Sequence, residues 1–173
     1  MNLYPNVLLN RVEDISIELL QKNKIKALIL DVDNTLVDYS KILKKDVIKW
    51  ANEMKGQGIK LYILSNTNDK KKVERISKEL NIPYKYFASK PLKRGFKKIQ
   101  KELKEKPEKI GVVGDQIFTD VLGGNRCKMF TILVEPINEK DIFITKWKRP
   151  IERRIKRKYM EIKNKGENKN VFK

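Results

Sequence analysis

Two carboxylates one residue apart, Asp31 and Asp33, close off the apolar run Ala27-Leu28-Ile29-Leu30. Like charges held that close repel, and each makes the other harder to ionise. A hard cation held by oxygen ligands offsets that cost, and Mg²⁺ suits one or two carboxylates with phosphate and water completing its shell. With a cation in place, one aspartate can attack an electrophile such as phosphorus and carry it covalently. The other can pass a proton to the departing oxygen. The bland alternative is a turn that uses aspartates for solubility and Asn34 for its backbone.

Further candidates follow other apolar runs. Ser65 and Asn66 come after Leu61–Leu64, and Ser89, Lys90 and Pro91 after Tyr86-Phe87-Ala88. Gly114-Asp115-Gln116 comes after Ile110–Val113, with Asp120 five residues beyond Asp115. Phosphoryl transfer needs positioning and charge neutralisation above all. Ser65 and nearby backbone N–H groups can cradle an anion at a helix start, and Lys90 can act as a point charge. Each residue also has an ordinary reading. Ser65-Asn66-Thr67-Asn68-Asp69 is a good helix-capping stretch. Lys90-Pro91 fits an extended dipeptide before a helix. Gly114-Asp115 fits a turn, and Asp120 a first-turn acid favoured by the helix dipole. Four chemically complementary segments at four run ends favour the joint reading over these separate ones.

The elements that must position these residues alternate in period. Strand-like runs cover Ala27–Leu30, Lys60–Leu64, Tyr84–Ala88, Ile110–Val113 and Met129–Val134. Helical spacing covers Ile42 to Met54, stopped by Gly56-Gln57-Gly58, then Lys70 to Leu80, Leu92 to Glu105 and Phe118 to Arg126. The stretch up to Lys24 is expected to be a helix packed on the core through Val12, Ile15, Ile17, Leu19 and Leu20. The alternation predicts an α/β fold, a parallel sheet with helices on both faces. Right-handed crossovers then place every strand C-terminus, and so every candidate, along one edge, where such sheets bind ligands.

Composition narrows the chemistry. The 173 residues suit one domain with a sizeable core, and 40% are hydrophobic. The absence of histidine excludes Ser-His-Asp triads, Cys-His pairs and His-ligated zinc. The lone Cys127 cannot form an internal disulfide and suits a reducing cytoplasm. No apolar run reaches membrane-spanning length, and the first residues lack a signal-peptide core. The net charge of +18 favours polyanions: nucleic acid, anionic lipid or phosphorylated substrates.

The segments Asp31-Val32-Asp33-Asn34-Thr35, Ser65-Asn66, Lys90-Pro91 and Gly114-Asp115-Gln116-Ile117-Phe118-Thr119-Asp120 resemble the haloacid dehalogenase (HAD) superfamily of phosphotransferases over about residues 25–134. The resemblance implies a Rossmann-like fold and Asp31 as a nucleophile that forms an aspartyl-phosphate. It implies Asp33 as acid and then base, Ser65 on the phosphoryl oxygens and Lys90 as the neutralising cation. Mg²⁺ would be held by Asp31, the carbonyl of Asp33 and Asp115, with Asp120 orienting the metal shell or Lys90. Asn34, Thr35 and Asn66 are expected near the phosphate, and Arg94, Asn125 and Arg126 on the rim. Leu3-Tyr4-Pro5, Gly123-Gly124-Asn125-Arg126 and Lys148-Arg149-Pro150-Ile151-Glu152-Arg153 extend the resemblance to YqeG-type HAD phosphatases of subclass IIIA. That bacterial family is similar to phosphatidylglycerophosphate phosphatases of mitochondria and plastids, which implies a lipid phosphate monoester as substrate.

Spacing speaks to substrate size. Each gap, from Asp33 to Ser65 and from Asn66 to Lys90, holds one helix and one strand and leaves no room for a cap domain. An open site favours a phosphate displayed on something large, or a small substrate enclosed by oligomerisation. Residues 140–173 carry 13 Lys and Arg against four Asp and Glu. Trp147, Ile151, Ile155, Tyr159 and Ile162 recur there at helical spacing, which suits a peripheral contact of residues 147–162 with the inner membrane face, docking on the protein's own core, or a nucleic-acid backbone. The expected organisation is a phosphatase domain over 1–140, a basic amphipathic helix over 141–165 and a disordered tail over 166–173. The leading expectation is a cytoplasmic Mg²⁺-dependent phosphatase acting on phosphatidylglycerophosphate. The alternatives are a phosphatase for a sugar phosphate or nucleic-acid end, and a non-catalytic basic module that contacts RNA or the ribosome.

Overall fold

The structure is a computed structural model that describes residues 2–38, 40–138 and 149–170, the last with side chains over 150–162. The chain divides into Met1–Asn138 and Glu139–Lys173. In the first unit the order is β1 (Val7–Leu9), α1 (Ile17–Lys22), β2 (Ala27–Leu30), α2 (Lys45–Gly56), β3 (Lys60–Leu64) and α3 (Lys70–Leu80). There follow β4 (Tyr84–Lys85), α4 (Lys93–Leu103), β5 (Ile110–Gly114), α5 (Leu122–Arg126) and β6 (Phe130–Val134). The six strands form one sheet in the order β1-β6-β5-β2-β3-β4, and every pairing is parallel. This is a Rossmann-like α/β architecture, as expected. Among the described residues α2 with β3, and then α3 with β4, fill the two gaps where a cap would be inserted.

Strand β2 lies between β3 and β5, with Leu28 opposite Leu61 and Gly111. From β2 the chain builds outward through β3 and β4, and then returns to add β5 and β6 on the other side. The strand order reverses between β2 and β5, which opens a crevice beyond their C-termini. Alternation along β2 divides the core. Leu28 and Leu30 join Val47, Trp50, Met54, Val73, Ile76 and Leu80 on one face. Ala27 and Ile29 join Phe96, Ile99 and Leu103 of α4 on the other. Helix α2 buries Val47, Trp50, Ala51 and Met54, the i, i+3, i+4, i+7 stripe of a half-buried helix. Trp50 keeps its indole N–H satisfied by donating to the Ile15 carbonyl at 3.0 Å. Helix α3 is bounded by the Asp69 side chain, which accepts from the Lys72 N–H, and by Asn81 at φ 50. Gly123 of α5 lies so near α4 that a Cβ there would come within 2.4 Å of the Phe96 ring.

Three expectations change. The N-terminal stretch is not one helix. Val7–Leu9 pairs with Ile132–Val134 as the edge strand β1, and a short turn, Val12–Asp14, leads to the six-residue α1. Val12, Ile15 and Leu20 are buried as expected, but from the turn, the linker after it and α1. Strand β4 stops at Lys85, because the chain turns left-handed at Phe87 (φ 51) and Ser89 (φ 55). The helix expected from Phe118 begins as a π-helical turn, Ile117–Val121, before α5.

In the second unit α6 (Arg149–Asn170) carries exposed Ile151, Met160 and Ile162 among exposed Arg153, Arg154, Arg157 and Lys158. It runs through residues 166–170, which were expected in a disordered tail. Trp147, Lys148, the rest of 141–148 and residues 171–173 lie outside the described residues. Among the described residues no helix is long and apolar enough to cross a membrane.

Candidate active site

Asp31 extends β2 by one residue, donating its N–H to the Val113 carbonyl at 2.9 Å. Asp115 follows the last residue of β5, and Asp120 returns from the π-helical turn beyond it. The three carboxylates are buried, and one oxygen of each lies within 4.8 Å of the others. Gly114 permits this approach, since a Cβ there would meet Asp120 Cγ at 2.2 Å. Lys90 enters from the loop before α4. Its Nζ donates to Asp31 Oδ1 at 2.7 Å and to Asp120 Oδ1 at 2.6 Å.

Burial dominates the electrostatics. It pushes the Asp31 carboxyl up to about 7, against the pull of the Lys90 ammonium and with a further push from Asp120. Burial also opposes the Lys90 charge, but the Asp120 and Asp31 carboxylates outweigh it and hold Lys90 above the usual lysine range. Three carboxylates and one ammonium carry a formal excess of two negative charges. The donors are all carboxylate oxygens, the set a hard divalent cation takes, and they fit a metal of that kind.

Of the other expected site residues, Asn66 and Arg126 are tied by hydrogen bonds to the Lys90-Pro91 segment. Ser65, at the end of β3, is buried, and its Oγ accepts from the Thr67 N–H at 3.2 Å. Asn66 grips the peptide of Lys90 from both sides: its Oδ1 accepts from the Lys90 N–H at 2.7 Å, and its Nδ2 donates to the Lys90 carbonyl at 3.1 Å. Asn34 takes the left-handed φ of 59 and ties two segments, donating its N–H to Val37 and accepting from the Ile137 N–H. Thr35 is buried, its Oγ1 lacks a partner among the described residues, and it lines a cavity of about 260 Å³ with Arg11, Lys44 and Glu135. Arg126 reaches the Lys90 loop by donating to the Pro91 carbonyl at 3.4 Å. Arg94 is exposed in the first turn of α4. Asn125 donates to the Asn2 and Tyr4 carbonyls.

Asp33 stands apart from the three clustered carboxylates. Its side chain is half exposed and pairs with Lys72 Nζ at 2.6 Å. Lys72 escaped the sequence reading, although a signal was available. Helices α3 and α4 both begin with consecutive cations and no acid in the first turn, against the preference of the helix dipole.

Chemically, a buried carboxylate paired directly with a lysine ammonium, beside two further carboxylates, is an arrangement that can hold a divalent cation and a phosphoryl group together. Comparison with known proteins agrees. The model of the family described as mitochondrial PGP phosphatase matches residues 1–138. The probable phosphatase YqeG of Bacillus subtilis (strain 168) is 41% identical over 152 residues, 87% of this chain and 88% of its own. A solved structure of an uncharacterized protein from Listeria monocytogenes serotype 4b superposes with a TM-score of 0.56 at 20% identity, over 68% of this chain and 85% of its own. One from Corynebacterium glutamicum ATCC 13032 Kitasato gives 0.53 at 17% identity, over 64% and 85%. The two structures bear on the fold alone. The family match and the identity to YqeG carry the assignment: this chain belongs to the mitochondrial PGP phosphatase family and is a phosphoric monoester hydrolase.

Proposed function

We propose that the chain hydrolyses the terminal phosphate monoester of an anionic phospholipid, with phosphatidylglycerophosphate as leading substrate, through an aspartyl-phosphate on Asp31. The observation that carries the mechanism is the buried contact of Lys90 with Asp31 and Asp120 beside Asp115. Asp31, Asp115 and Asp120 are the side chains that would hold Mg²⁺, with the Asp33 carbonyl. Bound there, Mg²⁺ would offset phosphoryl charge and keep Asp31 ionised. The Asp31 carboxylate forms a bond to phosphorus as the ester P–O bond breaks, and Asp33 gives its proton to the departing alcohol oxygen. Water then attacks phosphorus, Asp33 takes the proton, and the acyl-phosphate bond breaks to release phosphate and restore Asp31. For either step Asp33 exchanges Lys72 for the substrate. Lys90 offsets charge on the phosphoryl oxygens, Ser65 can donate its hydroxyl to one of them, and Asn66 holds Lys90 in register.

The lipid assignment rests on the family description, on the uncapped edge and on the cations that open α3 and α4. The test is Mg²⁺-dependent phosphate release from phosphatidylglycerophosphate in mixed micelles, sugar phosphates and phosphorylated oligonucleotides, with Asp31→Asn as the blank. Preference for the lipid supports the reading. Preference for a sugar phosphate or an oligonucleotide refutes the lipid assignment, and release that survives exhaustive chelation refutes the metal-assisted mechanism.

A further inference from the structure

Among the described residues of the first unit, the large apolar side chains most open to water are Ile42, Tyr86, Phe87 and Leu92, at 65%, 39%, 70% and 55% exposure. All four lie beyond strand C-termini, on the edge that carries Asp31 and Lys90. Ile42 sits between β2 and α2, Tyr86 and Phe87 follow β4, and Leu92 precedes α4. Hydrogen bonds bring these loops side by side. Lys41 pairs with Asp69 at 3.2 Å, the Asp69 N–H donates to Thr67 Oγ1 at 3.2 Å, and the Phe87 N–H donates to the Thr67 carbonyl at 3.0 Å. The Leu92 N–H closes the Lys90 loop by donating to the Ser89 carbonyl at 2.9 Å.

Single exposed hydrophobes are ordinary, but their gathering on one edge is not. Phe87 adds a second observation. A bulky aromatic residue rarely takes a left-handed backbone, and here φ is 51. The chain accepts that conformation and still leaves the ring in water. Exposed Lys44, Lys70, Lys93 and Arg94 flank the same loops. Apolar tips ringed by cations complement one surface chemistry, an acyl boundary beneath anionic headgroups.

We propose that Ile42, Phe87 and Leu92 dip into the surface of an anionic phospholipid bilayer and set the active-site mouth against the headgroups. The proposal rests on the lipid-phosphate reading of the same site, and it adds that the substrate is met in the membrane plane. A headgroup phosphate presented there reaches Asp31 without leaving the bilayer, which gives the missing cap a physical reason.

The experiment uses the full chain and phosphatidylcholine vesicles with and without phosphatidylglycerol. The triple variant Ile42→Ser, Phe87→Ser, Leu92→Ser should lower partitioning onto anionic vesicles at least about tenfold. It should hydrolyse p-nitrophenyl phosphate as the parent does, because none of the three residues touches the carboxylate cluster. A separate Phe87→Trp protein needs no loss of function: its added emission should shift to the blue on anionic vesicles and stay put on neutral ones. Equal partitioning of parent and triple variant, or no blue shift on anionic vesicles, overturns the proposal. So does a parent that forms a dimer through this edge, lost in the triple variant, without binding vesicles. Turnover of the phosphorylated lipid in detergent micelles tests the lipid-phosphate reading by itself, so the two can fail separately.

Discussion

At Asp31 burial opposes ionisation and Lys90 favours it, and burial prevails, leaving the carboxyl up to about 7 instead of 3.8. A carboxyl whose folded value is raised stabilises the metal-free fold most below pH 3.8, and that contribution is lost as pH rises through about 7. In the proposed mechanism Asp31 must be ionised to attack, and a bound cation would compete with its proton. At limiting Mg²⁺, kcat/KM should therefore climb as pH rises through about 7. At saturating Mg²⁺ the rise should move to lower pH. Two pH–rate profiles check this, and an inflection that ignores Mg²⁺ would show that the titrating group lies elsewhere. Asp31, Asp115, Asp120 and Lys90 stood out as candidates by type and spacing, and the fold brings them together. The pairing of Asp33 with Lys72 was not legible in the sequence, because the two are 39 residues apart and meet only where the β2 loop passes the start of α3.

Among the elements, the loop from β4 to α4 does the most to place chemistry. Asn66 holds both sides of the Lys90 peptide, so its removal should mislead the ammonium without emptying the core. Asn66→Ala should lower kcat about 10–100-fold while costing about 1–2 kcal/mol of stability. Steady-state kinetics beside urea unfolding separates the two effects, and an unchanged kcat would dismiss the positioning role. The same loop explains where the sequence reading of β4 ran too long. Tyr86-Phe87-Ala88 has a buried strand's composition, yet the backbone leaves the sheet there to carry Lys90 back toward Asp31. The bounds of β2, β3 and α3 were read correctly because local signals end them: a carboxylate, a serine, and the Asp69 and Asn81 caps. Val7–Leu9 has no such signal. Three residues show no period, and they are a strand only because β6 offers a free edge.

At the scale of the molecule, folding brings Asp31, at the end of β2, to Asp115 and Asp120, beyond β5, and leaves the cluster with excess negative charge. A divalent cation that binds this arrangement, and not the unfolded chain, must stabilise the fold. Mg²⁺ at a hundredfold its Kd should add about 2.7 kcal/mol. Thermal unfolding reads this as a rise in Tm that Asp115→Asn abolishes; an equal rise in that variant would place the ion elsewhere. The sequence by itself determined the alternating α/β order, the lack of a cap and the residue types at the ligand edge. These follow from local periodicity, capping and spacing, which neighbouring residues decide. Only the tertiary structure decided that Asn66 grips the Lys90 backbone, that Asp120 shares Lys90 with Asp31, and that the exposed apolar side chains of the first unit gather on one rim. Each depends on how residues from separate crossovers converge at the C-terminal edge of the sheet, a geometry set by strand order and helix packing and written in no single stretch of chain.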